Sequence, residues 1–205
     1  MDKSEVVKYI LQSDIINKWH WFNYHFQFYK FGIEHPFAKS IIDAILNIEK
    51  KIDGYSVSTI NRMAGLAGKG KYEPHYEQLL QICSEIYVIN QASKYFGDVD
   101  VIFRYEPSCG DSKKNPELTI QLKDYSIGIE VKQPSLLNHI RKRGTNPLQV
   151  STRVPDFLDI LKGNFNKSIT LPRDNPVKDF LISANEKFKN FKSDKSFYSI
   201  LFIIW

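Results

Sequence analysis

The chain has 205 residues, 42% apolar and 14% aromatic, which is enough to build a core in one domain, or in one with an added subdomain, and argues against global disorder. Its net charge of +5 and pI near 9.0 suit a polyanionic partner without requiring one. Cys83 and Cys109 lie far apart with no CxxC, no run approaches the length of a membrane-spanning helix, and charges interrupt the opening MDKSEVVKYILQSD; a disulfide framework, a cysteine zinc site and a signal peptide are therefore not expected, and a cytoplasmic protein is.

In chain order, residues 4–31 read as an aromatic-rich amphipathic helix capped by Ser4, with Trp19, Trp21, Phe22, Tyr24, Phe26, Phe28, Tyr29 and Phe31. Its plain reading is packing on the main core; its functional reading is a platform for stacked bases. His20 and His25 lie five residues apart, which does not place them on one helical face for a metal. A second helix is expected over 36–52, with Pro36 near its start and Ile41, Ile42, Ile45, Leu46 and Ile48 apolar, and a short third over 56–67. Residues 65–72, GLAGKGKY, invite a phosphate-loop reading, which fails because Tyr72 stands where Ser or Thr is needed and no strand precedes. Lys69 and Lys71 then belong either to a basic loop touching a nucleic-acid backbone or to a plain linker. A long helix follows over 74–96, bounded by Pro74 and Gly97, with Glu77 close to its apolar face.

From Asp98 the period changes. VDVIFRYEP, LTIQL and IGIEVK, joined by the turns SCGDSKKN and KDYS, predict a three-stranded antiparallel meander. Alternation in the third strand points Ile127, Ile129 and Val131 one way and Glu130 and Lys132 the other, with the two charged groups roughly 7 Å apart along the strand. A solvated ion pair and a buried site are equally good readings of that strand alone. Residues 133–173 lack regular pattern, and a loop of that length inside a domain is usually functional. Residues 175–191 read as an amphipathic helix and SFYSILFIIW as a final buried strand. A strand running to Trp205 implies either a longer parent chain or a partner over this edge.

Pairing the second and third strands brings Glu117 at the start of one toward Glu130 and Lys132 near the end of the other. Two carboxylates close together suit a hard divalent cation such as Mg²⁺, and a lysine beside it can hold or deprotonate a water and offset charge growing on a phosphate. Pro116-Glu117…Glu130-Val131-Lys132 resembles the motif of the PD-(D/E)XK nuclease superfamily, the fold of restriction endonucleases and Holliday-junction resolvases. The resemblance covers roughly residues 74–205 and extends to the order helix, three-stranded meander, helix, strand. It implies an α/β fold with a restriction-endonuclease-like core over 74–205, truncated at its C-terminus, behind an N-terminal helical region over 1–73. It also implies that Glu117, Glu130 and the Val131 carbonyl hold Mg²⁺, with Mn²⁺ able to substitute, and that Lys132 activates water. Some members add a glutamate from the preceding helix, a role for which Glu77 is placed first and Glu85 second. The chain departs from the commoner pattern at Glu117, where most members carry Asp.

The expected activity is Mg²⁺-dependent hydrolysis of DNA phosphodiesters, of the restriction or phage-defence kind; the alternative is a catalytically inactive nuclease fold that binds nucleic acid or a protein. The expected partner is double-stranded DNA, with phosphate contacts from Arg141, Lys142 and Arg143 and from Lys69 and Lys71, while Gln133 either touches substrate or ends its strand. The N-terminal helices and the C-terminal strand edge are the two surfaces open to a second copy or a protein partner.

Overall fold

Asp2, not Ser4, starts the first helix. Its carboxylate accepts from the Glu5 backbone N–H at 2.9 Å, and the Glu5 carboxylate accepts from the Asp2 N–H at 2.8 Å, a reciprocal cap. The structure is a computed structural model, and it describes residues 1–68, 73–97, 100–108, 114–135, 148–149, 169–170, 177–192 and 196–204. The single helix expected over 4–31 is broken into α1 (Lys3–Gln12), α2 (Asp14–Asn17), α3 (Asn23–Phe26) and a 3-10 turn at Gln27–Phe31. Ser13 causes the first break: its hydroxyl donates back to the Ile10 carbonyl and accepts from the Ile15 N–H, so its side chain competes with the helical ladder. Then follow α4 (Pro36–Glu49), α5 (Tyr55–Ala64) and the long α6 (Glu73–Tyr95).

These helices share one core with the sheet. Val6, Ile10, Phe26, Ile42, Ile45, Met63, Leu79 and Ile89 are buried in the same cluster as Leu118, Ile120, Ile129 and Val131. His20 is a core residue. Its Nε2 donates to the Met63 carbonyl at 2.8 Å and its Nδ1 accepts from the Phe22 N–H at 3.0 Å, which fixes a neutral tautomer and leaves nothing for a metal.

The meander is present as β1 (Ile102–Tyr105), β2 (Leu118–Gln121) and β3 (Ser126–Lys132), all antiparallel. Two short strands, β4 (Leu148–Gln149) and β5 (Ile169–Thr170), pair in parallel with each other. Helix α7 (Val177–Phe188) precedes β6 (Phe197–Ile203), which joins β3 in parallel, so the sheet order is β1-β2-β3-β6. The result is an α/β fold with a four-stranded mixed sheet and several helices. Two compact units are present, residues 1–133 with 180–205, and residues 134–179. Among the described residues no helix is long and apolar enough to cross a membrane.

The final strand is not buried as its composition suggested. It lies at the sheet edge with β3 as its partner, and Tyr198, Ile200 and Phe202 are exposed. Apolar composition could not tell an edge strand from a central one.

Candidate functional site

Register sets the site. Leu118 of β2 pairs with Ile129 of β3, so one step outward along the antiparallel pair sets Glu117 beside Glu130. Leu118, Ile129 and Val131 are buried in the core that α6 shares, while Gly128, Glu130 and Lys132 alternate onto the opposite face. That face is covered too. A side chain at Gly128 would put its Cβ 2.4 Å from Phe197 and 2.8 Å from Phe188, so only glycine lets α7 and β6 close over β3 here.

The charged strand face is therefore not solvated. Glu130 is 0% exposed and Glu117 9%. The Lys132 ammonium lies 2.8 Å from Glu130 Oε1, and the Lys187 ammonium of α7 lies 2.7 Å from the same oxygen and 3.2 Å from Glu117 Oε1. Both ammonium groups meet Glu130 at Oε1, while Oε2 has no hydrogen-bond partner among the described residues. Burial, then the charge of Glu85 and that of Glu130, push the Glu117 carboxyl up to about 7, against the pull of Lys187. Burial opposes the charge on Lys187, but contact with Glu130 and the charges of Glu117 and Glu130 outweigh it and raise its pKa.

A second charged group backs the site from α5 and α6. The Arg62 guanidinium lies 2.7 Å from Glu85 Oε2 and also donates to the Tyr105 hydroxyl. Gln81 donates to Glu85 Oε1 at 3.0 Å and to the Val131 carbonyl at 3.1 Å. Ser84 donates to Gln133 Oε1 at 3.2 Å, so Gln133 is tied to α6. A groove of about 600 Å³ opens on the carboxylate face of the sheet, lined by Arg104, Thr119, Gln121, Ser126 and Phe197 among others.

The structure thus brings Glu117, Glu130 and Lys132 together. Val131 contributes a core side chain and a carbonyl already bonded to Gln81. Glu77 is half-buried on α6, whereas Glu85, two turns further on, is buried at 3% and has its charge felt at Glu117. Lys69, Lys71, Arg141, Lys142 and Arg143 lie outside the described residues. Sequence reasoning missed Lys187, Arg62 and Gln81. The spacing Ala184, Lys187, Phe188 held a signal for the first: Ala184 and Phe188 are the buried residues of α7, and i+3 places Lys187 on their face.

The donor set fits a hard cation in part. A buried carboxylate with one oxygen, Glu130 Oε2, lacking a hydrogen-bond partner among the described residues, set beside a second carboxylate, is chemistry that a divalent ion can satisfy. Among the described residues no group of three or more His, Cys, Asp or Glu gathers as a metal cluster, so two carboxylates would be the side-chain ligands and water would fill the rest. Mg²⁺ commonly binds through one or two carboxylates and keeps several waters. At this level the chain is an α/β protein with a buried acid-lysine site at one end of its sheet. Compared with protein-family models, curated proteins and solved structures, the chain gives no match.

Proposed function

We propose that this protein is a Mg²⁺-dependent nuclease that hydrolyses DNA phosphodiester bonds, built on a restriction-endonuclease-like core. The observation that supports it best is the meeting of Glu117, Glu130 and Lys132 on adjacent strands, with Glu130 fully buried and its Oε2 without a hydrogen-bond partner among the described residues. Glu117 and Glu130 would hold the ion, which when bound supplies positive charge to a phosphate oxygen. The Lys132 side chain is 22% exposed, and its ammonium, 2.8 Å from Glu130, can donate to a water and offset negative charge growing on a phosphate. The Gln81 bond to the Val131 carbonyl and the Arg62–Glu85 pair hold the strand end in place. The groove on the same sheet face carries one cation, Arg104, with Glu106 and with Thr119, Gln121 and Ser126, groups that could meet phosphate or sugar. Incubating the protein with plasmid and linear DNA, in Mg²⁺ and in EDTA, tests this: cleavage only in Mg²⁺ is expected, and none with either metal or DNA form would sink it.

A second reading is a nuclease-fold module that binds nucleic acid or protein without cutting. The observation favouring it is the Lys187 ammonium lying between the two carboxylates. DNA binding with no cleavage in Mg²⁺ or Mn²⁺ would select it.

A further inference from the structure

The Lys187 ammonium occupies the point where a cation shared by Glu117 and Glu130 would lie. One nitrogen stands 3.2 Å from a carboxylate oxygen preceding β2 and 2.7 Å from one on β3. Magnesium binds oxygen at roughly 2.0–2.1 Å, so an ion bridging the two carboxylates, whichever oxygens it takes, would lie close to that nitrogen. Both cations there at once would face each other across about 3 Å with little water between them, a strong repulsion. The other cations of the cluster are placed differently. Among the described residues Lys132 pairs with Glu130 and not with Glu117, and Arg62 is tied behind the site to Glu85 and Tyr105. Lys187 alone among the described cations bridges both strands. It reaches in from α7 on a flexible four-carbon stem and can leave without moving either strand.

On the reading of the site as a metal centre, we propose that Lys187 is a tethered counter-cation: its ammonium holds the two carboxylates together, and a divalent ion binds by displacing it. Charge supports this exchange. Glu85, Glu117 and Glu130 face Arg62, Lys132 and Lys187, so negative charge does not exceed positive, and an added divalent ion leaves a positive excess that release of Lys187 reduces. The displaced ammonium stays tethered at the site's rim, where a phosphate oxygen is its natural partner.

The test uses the full chain and Mn²⁺ as the probe. Calorimetry on Lys187→Met, which keeps the stem and loses the charge, is expected to show Mn²⁺ binding tighter than wild type by about tenfold or more. In wild type, acetylation of Lys187 followed by mass spectrometry is expected to rise when Mn²⁺ is added, with exposed lysines unchanged. Equal or weaker Mn²⁺ affinity in folded Lys187→Met overturns the proposal and leaves the metal site standing. If that variant fails to fold, Lys187 labelling that stays flat while wild type takes up Mn²⁺ overturns it equally. Absence of Mn²⁺ uptake by both proteins removes the metal centre itself, and the proposal with it.

Discussion

Glu117 carries the clearest pH signature of any single residue. Its folded pKa, about 7, lies above the ordinary 4.5, so folding favours the protonated acid. The stability it contributes is fully present below about pH 4.5 and is lost as pH rises through about 7. Melting temperature measured in EDTA from pH 5 to 8 is expected to fall in wild type and to fall less in Glu117→Gln; equal slopes would remove the burial argument. The same Gln variant is expected to lose cleavage steeply and to recover part of it in Mn²⁺, which binds such ligands more tightly. Glu117→Asp shortens the arm by one methylene, an offset that can cost roughly 10²-fold where positioning matters. Lys132→Met is expected to keep Mn²⁺ and DNA binding while cleavage falls by about 10²–10⁴-fold, the usual contribution of a positioned proton-transfer group. Undiminished cleavage would place the chemistry elsewhere. Glu130→Ala is no surface change: at 0% exposure its loss leaves a cavity and two ammonium groups without their carboxylate, so Glu130→Gln is the variant that separates charge from packing.

Elements, more than single residues, decide whether the site forms. Gly128→Ala is expected to destabilise by about 1–3 kcal/mol, because a Cβ there meets the rings of Phe188 and Phe197 and pushes α7 off the sheet. Since Lys187 precedes Phe188, the same change should raise labelling of Lys187; a variant with wild-type melting and labelling would show that α7 tolerates the shift. Arg62→Met is expected to destabilise by about 1–3 kcal/mol by leaving buried Glu85 with only its Gln81 hydrogen bond, and a double change with Glu85→Gln should regain most of it by denaturant titration. The elements differ in how well the sequence foretold them. The meander and the alternation of β3 were legible because period two and short turns are local signals. The break at Ser13 was not, since a hydroxyl cap competes with a helix without altering the apolar pattern. Glu117, Glu130 and Lys132 could be placed on neighbouring strands, but the burial of Glu130 depends on α7 and β6, far along the chain. For Lys187 the sequence held only its face on α7, through the spacing to Ala184 and Phe188; its partners are set by topology.

At the scale of the whole molecule, a net charge of +5 is what the proposed reading relies on for meeting DNA. Affinity is expected to fall with salt, and a triple Ala change at Arg141, Lys142 and Arg143 should flatten the log-log slope by about one unit for each phosphate contact removed. Unchanged affinity and slope would make that run a solvated loop. The parallel pairing of β3 with β6 carries a different consequence, one of time. Glu117 and Glu130 leave the ribosome well before Lys187 and β6 exist. At translation speeds of about 5–20 residues per second, the wait from Glu130 to Lys187 is roughly 3–11 s. Through that interval the nascent carboxylates have neither the ammonium nor the covering helix, and desolvating them alone would be unfavourable. The site therefore belongs to the last cooperative step of folding: the N-terminal helices can condense while the chain is still growing, but the acid pair closes only once α7 and β6 have emerged.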